Sequence, residues 1–473
     1  MKNNLVKILI LSGLVLLSAC NKFLEVEVLG KSDTETFFSE LDGLRAALPG
    51  AYRVTYNFYD GEFLKYGDVA GNMVRMSSVA SGVDMVNQYN FMSDPTQEVS
   101  AVGYLWKRGF IVMSNVNNIL EYAPNLKKSY PHDIDEINNI MAQAYFLRAL
   151  VHFNLVLCYA QPYNYTPEAS HWGVPVLTRV PSANEPVLRK TVNETYNQIL
   201  NDLNSALNTF TSDYQFNAYY ASPLACKALL ARVYQYMGKW DLAEQYAAEV
   251  IGVKPLTPYG SYVNMYANNE VGTEAIFRLS GYDAGKSTSN YYKYGQALEY
   301  PADTLYSLFT DSRDVRIKLL YYKPDKKIGK VCMKYYLQNN TDAKAVTNPF
   351  VLRTSEMYLI RAEAYVHQNL LDKAVKDIKT LESRALGVSE SEVNLPYSTA
   401  ADVDKLLEIE SIKELCFEGH RFFDIARQNK SVIRESNTNS VVRRLIYPDY
   451  RYALPIPLVE REANPKIQQN EGY

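Results

Sequence analysis

Apolar residues recur along most of this chain at intervals of three and four, which sets them on one face of an α-helix. The clearest case lies between Ala221 and Pro255. Ser222 and Pro223 open a helix, Ser by capping free amides and Pro by filling a position whose N–H has no partner. Leu230, Val233, Tyr234 and Met237 then make one buried face, and Gly238 stops the helix. Lys239 and Trp240 turn the chain into a second helix, with Ala243, Tyr246, Ala247 and Val250 at the same spacing and Gly252 and Pro255 at its end. Small Ala231, Tyr234, Gly238, Trp240, Ala243 and Pro255 stand at the offsets of a tetratricopeptide-like helix pair. Alanines on the facing sides let the two rods approach closely, and Tyr234 and Trp240 fill the remaining groove. One pair leaves its outer face bare, so copies are expected to stack beside it.

The same period predicts helices over Thr34 to Val54 (Phe37, Leu41, Leu44, Leu48), over Trp106 to Leu120, and around Phe146, Ala149, Leu150 and Phe153. Thr191 to Glu194 is a capping box, and Ile199, Leu203, Ala206 and Leu207 continue the helix it starts. A second helix pair spans Ser355 to Ala385, with Tyr358, Ala362 and Tyr365 facing Ala374, Ile378 and Leu381. One more helix is predicted over Asp404 to Gln428, with Ile409, Ile412 and Cys416 inside, and Glu274 to Leu279 reads as a short strand. Two stretches lose the period. In residues 55–103, Gly, Asp, Asn and Ser punctuate Tyr59, Phe63, Tyr66, Met73, Tyr89 and Phe91; residues 256–350 include a polar loop, Gly281 to Tyr300, dense in tyrosine. Both are too long for simple connections, and long irregular loops are where binding concentrates. Prolines rule out a long helix over Gln161 to Pro186, and the aperiodic tail Tyr450 to Tyr473 is expected to wrap over the folded body. The pattern thus predicts a mainly α fold, a helix-pair scaffold carrying a loop-rich lobe with a few short strands.

Residues 1–19 have the form of a secretory signal. Lys2 and Lys7 accompany the apolar run Ile8 to Leu17, which is too short to span a bilayer as a stable helix. The run ends in Leu17, Ser18, Ala19 and Cys20, the pattern of a bacterial lipoprotein signal. That chemistry needs the Cys20 thiol, which takes a lipid before the peptide is cut ahead of it. The freed amine is then acylated, and several chains give the stable anchoring that one does not. Asn21 in place of Asp points to the outer membrane of a Gram-negative cell. Residues 20–33 then read as a lipidated tether and residues 34–473 as a single domain.

At 473 residues and 47% hydrophobic, the chain has ample material for a large core. Its formal net charge is −3, and loss of Lys2 and Lys7 with the leader makes it more acidic, so the basic surplus needed to track nucleic acid is absent. Cys158, Cys226 and Cys416 fall in apolar helical patterns and, like Cys332, stand far apart; they read as small buried hydrophobes rather than a disulfide framework or metal site. Glu414, Glu418, His420, Arg421 and Asp424 form the densest polar cluster. Ion-pair networks imitate active sites, and fixing one helix against its neighbours is the expected role. Asp311, Arg313, Asp314 and Arg316 read as a surface ion-pair turn. His132, His152, His171 and His367 lack ligand spacing, and no HExxH, GxSxG, P-loop or GxGxxG occurs. No catalytic residue, metal or cofactor is therefore assigned.

Several segments are similar to the SusD/RagB family of lipoproteins. They are Cys20 with Lys22, Phe23, Leu24 and Glu25; Ala142 to Leu150; Lys227 to Tyr234 with Gly238 to Trp240; Glu356 to Tyr365; Glu414 to Asp424; and the closing Pro455, Ile456, Pro457, Asn464, Pro465 and Gln469 to Tyr473. The matches run in order from residue 20 to the end. The resemblance implies four tetratricopeptide-like pairs with a loop-rich lobe built against them. It also implies a binding protein rather than an enzyme, lipid-anchored and exposed on the outer membrane. Such a protein is a hinged lid on a SusC-like TonB-dependent transporter, and delivers to it an oligosaccharide or, in second place, a peptide.

A sugar is held by a flat aromatic face against its C–H surface, with Asn, Asp or Arg at its hydroxyls. The two aperiodic stretches offer that combination, and the resemblance implies ligand contacts in both. The candidates are Asp68, Arg75, Tyr89 and Asn90 in the first and Tyr282, Tyr291, Tyr292 and Tyr294 in the second. Trp106 and Trp240 read as core and Trp172 as loop-borne, which argues against a wide tryptophan platform. The alternative is a structural lipoprotein whose helix pairs hold proteins together and whose loops bind no nutrient.

Overall fold

The computed structural model describes residues 33–80, 84–97, 100–182, 185–267, 272–281, 291–292, 295–323, 326, 329–335 and 347–473. The signal, Cys20, the tether up to residue 32, Tyr282 and Tyr294 lie outside the described residues.

Asp33 caps α1 (Thr34–Phe37) by accepting from the Thr36 N–H at 2.8 Å. The chain breaks and restarts as α2 (Leu41–Phe58), so the one helix expected over Thr34 to Val54 is two. The break exchanges Phe37, 39% exposed, for Phe38 as the inward ring, while Leu41, Leu44 and Leu48 face the core as expected. α2 then runs through a π turn (Tyr59–Phe63) into α3 (Leu64–Val69), so the start of the expected irregular stretch is helical. The cause is burial on every side. All six residues of α3 are buried, Lys65 and Asp68 included, which leaves no apolar–polar alternation to read.

β1 (Val74–Met76) and α4 (Val86–Tyr89) lead to α5 (Ala101–Ser129) and α6 (Ile134–Tyr159), two long helices packed together. α6 is apolar and long enough to cross a bilayer, yet it is a core helix surrounded by protein. A ribbon of β2 (Trp172–Pro175) and β3 (Arg189–Thr191) precedes α7 (Val192–Thr209). The expected capping box is formed there: the Glu194 N–H donates to Thr191 Oγ1 at 3.1 Å and the Thr191 N–H to Glu194 Oε2 at 2.9 Å.

α8 (Pro223–Tyr236) and α9 (Trp240–Ile251) are the expected pair. Ser222 accepts from the Ala225 N–H at 3.1 Å, and Gly238 makes the turn at φ 66°. Tyr234 stacks on Tyr246, with ring centroids 5.7 Å apart. Trp106 is core, but Trp240 is only partly buried; its indole stacks 3.8 Å from the His367 ring and so joins this pair to the next at their turns.

β4 (Ala275–Arg278) fulfils the strand expected at 274–279. Beyond β5 (Glu299–Pro301) and α10 (Asp303–Ser307), it finds its antiparallel partner in β6 (Phe350–Arg353). α11 (Thr354–His367) and α12 (Leu371–Leu386) are the second expected pair, with Ala362, Ala374, Ile378 and Leu381 buried between them. The helix expected over Asp404 to Gln428 is divided into α13 (Ala400–Leu415) and α14 (Arg421–Arg427). Phe417 and Gly419, at φ 63° and 79°, make the break. α3 crosses directly over this turn, since a Cβ on Gly67 would stand 1.9 Å from the Gly419 carbonyl oxygen. β7 (Val432–Ile433) pairs with β8 (Arg444–Leu445). The tail wraps as expected, with Asn470 Nδ2 donating to the carbonyls of Tyr159 and Leu454 at 2.8 and 2.7 Å.

The main apolar cluster reaches from Phe38 to Ile467 and takes in the buried thiols of Cys158, Cys226, Cys332 and Cys416, and among the described residues two smaller clusters stand beside it, one around Tyr262 and Leu319 and one around Ile378 and Leu381. Beneath the α13–α14 turn, Arg316, Lys334, Arg353, Arg384 and Lys413 meet Glu274, Asp314, Glu410, Glu414 and Glu418 in a buried network, with Glu382 joining Lys413 at its margin. Burial opposes the charge on Glu414, yet Arg384, Arg353 and Arg316 hold its carboxyl well below the ordinary range. Burial pushes His420 down to about 3, and Arg421 and Asp424 pair with Glu408 and Arg427 at 2.8 Å each. The polar cluster clamps helices, as expected. Half of the 311–316 turn departs from expectation: Asp311–Arg313 is exposed, but Asp314–Arg316 is buried inside the network.

Candidate ligand-binding face

The two aperiodic stretches meet. β1 from the first pairs antiparallel with β5 from the second, in the register Val74↔Pro301, Arg75↔Tyr300, Met76↔Glu299. Side chains alternate across a strand, so Val74 and Met76 turn inward with Glu299 and Pro301, and Arg75 and Tyr300 share the opposite face, both partly exposed, with Tyr300 packed along the edge of a second apolar cluster that includes Val315 and Leu319.

Arg75 lies between two carboxylates, 3.8 Å from Asp303 Oδ2 and 3.7 Å from Glu435 Oε1. Both distances exceed hydrogen-bond range, so the guanidinium donates no hydrogen bond to any described residue. Glu435 is aimed by its other oxygen, which accepts from the Thr304 N–H and hydroxyl at 3.0 and 3.1 Å. Asp303 accepts from Lys330 Nζ at 2.5 Å and from Asn437 Nδ2 at 3.0 Å, and these bonds hold it below the usual carboxylate range. That is the wrong direction for a general acid. Lys330 also lies 4.4 Å from the Tyr306 ring centroid, and Tyr306 meets Tyr321 at 4.9 Å. The face therefore combines aromatic rings with a guanidinium, an ammonium, two carboxylates and an amide. Such a set holds a polyhydroxylated molecule by ring contact and paired hydrogen bonds. Among the described residues no group of His, Cys, Asp or Glu is arranged to hold a metal ion.

Of the candidates named from sequence, Arg75 stands on this face. Asn90 is partly exposed and braces the loop between β7 and β8, where Oδ1 accepts from the Val441 N–H at 2.9 Å. The other four described candidates are enclosed. Asp68 accepts from the Gly419 N–H at 2.7 Å behind the ribbon, where burial pushes its carboxyl up to about 7. Tyr89 lies under the Arg434 guanidinium, 4.3 Å from its ring, and its hydroxyl donates to Asn439 Oδ1 at 3.1 Å. Tyr291 donates to the Asp84 carbonyl at 3.3 Å, and Tyr292 donates to Glu299 Oε2 at 3.3 Å and packs between Tyr335 and Phe417. Tyr291 and Tyr292 line the inner side of the β1–β5 ribbon, so the density of tyrosine there signals a local core rather than a wet surface. Tyr300, Asp303, Glu435, Asn437 and Lys330 escaped the sequence reading. Of these, Tyr300 alone carried a signal, as one of the loop tyrosines.

Residues 22–235 match a family described as starch-binding and associating with the outer membrane, and residues 259–473 match the SusD family. The chain is similar to the SusD-like protein P2 of Formosa agariphila, at 25% identity over 99% of each chain. Its fold matches that of a SusD superfamily protein from Bacteroides thetaiotaomicron, with a TM-score of 0.80 and 25% identity over 91% of this chain and 99% of that one. A SusD-like carbohydrate-binding protein from Bacteroides vulgatus shares the fold, with a TM-score of 0.73 and 19% identity over 90% of this chain and 97% of that one. With its helix-pair scaffold and the sequence matches over both halves, the chain belongs to the SusD family.

Proposed function

We propose that this protein is a surface lipoprotein that captures an oligosaccharide, with a peptide as the second choice, and passes it to a SusC-like TonB-dependent transporter on which it acts as a lid. The leader of residues 1–19 is removed, Cys20 carries the lipid in the outer membrane, and residues 34–473 act as one body. The observation that carries the ligand assignment is the β1–β5 ribbon, which puts Arg75 opposite Tyr300 with Asp303, Lys330 and Glu435 around them. Membership of the family and the carbohydrate-binding description of a structural relative support the sugar over the peptide. Asn90 belongs at the margin of the contact set, and Tyr282 and Tyr294, outside the described residues, are proposed as contacts on the sequence alone.

The test is a glycan and peptide binding screen on the soluble chain lacking residues 1–20. A glycan bound by the wild type and at least about tenfold more weakly by Arg75→Ala is the expected result. Retention of no glycan, with co-purification of proteins alone, would favour the structural-lipoprotein alternative. Cys20→Ala is expected to abolish lipid labelling and membrane retention; a labelled variant would refute the anchor.

A further inference from the structure

We infer that the glycan held by this face is anionic, bearing uronate or sulfate groups; the inference rests on the ligand assignment above. The chain as a whole is acidic, with a formal net charge of −3. Beside the ribbon the balance reverses. Residues 321–330 carry Lys323, Lys326, Lys327 and Lys330 against the single acid Asp325. The two ends of this stretch stand at the face: Tyr321 and Lys330 form an isolated antiparallel bridge, and the Tyr322 N–H donates to the Gly329 carbonyl at 3.1 Å. At its root the Tyr321 ring packs on Tyr306, and Lys330 reaches Asp303, the carboxylate that also neighbours Arg75.

Arg75 and Lys330 are matched in charge by Asp303 and Glu435, so the ribbon alone is neutral. Lys323 and Lys326 are the surplus. Both are exposed, and neither meets a carboxylate among the described residues. Lys323 instead lies 5.4 Å from the Tyr322 ring, a cation set beside an aromatic surface. Arg75 adds a guanidinium that donates no hydrogen bond to a described residue and is held only by ion pairs at 3.7 and 3.8 Å. A carboxylate or sulfate offers it the bidentate geometry that those pairs lack. A neutral sugar takes only hydrogen bonds from the two exposed ammonium groups. An anionic one is drawn to them over about 8 Å at physiological ionic strength.

The test uses the soluble chain lacking residues 1–20 with polygalacturonate and carrageenan as acidic probes and laminarin and starch as neutral ones, at low and high salt. Binding of an acidic probe that weakens as salt rises supports the inference. So does a loss of about tenfold in Lys323→Glu/Lys326→Glu, shrinking with added salt, while Lys376→Glu on the outer side of the scaffold binds as wild type. These lysines are exposed, so the variants fold, which their thermal melts verify. Binding of neutral glycans alone, insensitive to salt, would overturn the anionic assignment and leave the oligosaccharide role standing. Undiminished binding of the acidic probe by the double variant would overturn it as well. Binding of none of the four would overturn both.

Discussion

Replacing Glu414 by glutamine takes one negative charge from the middle of a buried network while hardly changing side-chain volume. Glu414 is fully buried and accepts from Arg353, Arg384 and Arg316 at 2.6, 2.7 and 2.9 Å. At an effective dielectric of about 20, each contact is worth roughly 6 kcal/mol of gross Coulomb energy. Most of that is offset by the cost of desolvating the ions, and removing one partner of a buried pair costs about 3–5 kcal/mol net. The three arginines keep Glu274, Glu418, Asp314 and Glu410, which limits the loss to that range. Urea unfolding followed by circular dichroism is the assay, and Glu414→Gln should lower the midpoint at unchanged slope. Arg45→Ala is the internal control. Its pairs with Asp42 and Glu136 are solvent-exposed, and its loss should leave the midpoint nearly unchanged. A change under about 1 kcal/mol for Glu414→Gln would refute the clamp.

Further outcomes follow from single contacts. Burial raises Asp68 from 3.8 to about 7, so the native state keeps a proton that the unfolded chain has released. Its contribution to stability is full below about pH 4, falls by roughly 4 kcal/mol as pH rises to about 7, and is level above that. Asp68→Asn retains an acceptor for the Gly419 N–H and should flatten that part of the pH–stability curve; superimposable curves would contradict the placement. Gly67→Ala drives a methyl into the Gly419 carbonyl, 1.9 Å away, and should cost more than about 2 kcal/mol. Gly50→Ala, in α2 with nothing within 4 Å, should instead stabilise by about 0.5–1 kcal/mol in the same unfolding assay.

Much of the scaffold was legible because half-buried helices announce themselves. Ser222, Gly238 and the Thr191–Glu194 box fixed helix ends locally, and the pairs at 223–251 and 354–386 followed from the period of three and four. The helix from Leu64 to Val69 was not, because a segment buried on all sides carries no period. The break after Leu415 depends on a close pass of Gly67 over Gly419, a contact between residues remote in sequence. The candidate face was half legible. The two aperiodic stretches do meet, although the first is helical as far as Val69, and strands of three residues paired across more than 220 positions leave no local signal. Tyrosine counts cannot tell a ring that is fully enclosed, such as Tyr292, from one that keeps part of its surface open, such as Tyr300. Glu435 and Asn437 reach the face from a C-terminal hairpin that the pattern did not mark.

The most direct measurement is hydrogen–deuterium exchange of the soluble chain with and without a bound glycan. Ligand should slow exchange at residues 74–76 and 299–306 and leave the helix pairs at 223–251 and 354–386 unchanged. Protection confined to those helix pairs, with the ribbon exchanging as before, would contradict the assignment of the ligand to Arg75 and Tyr300.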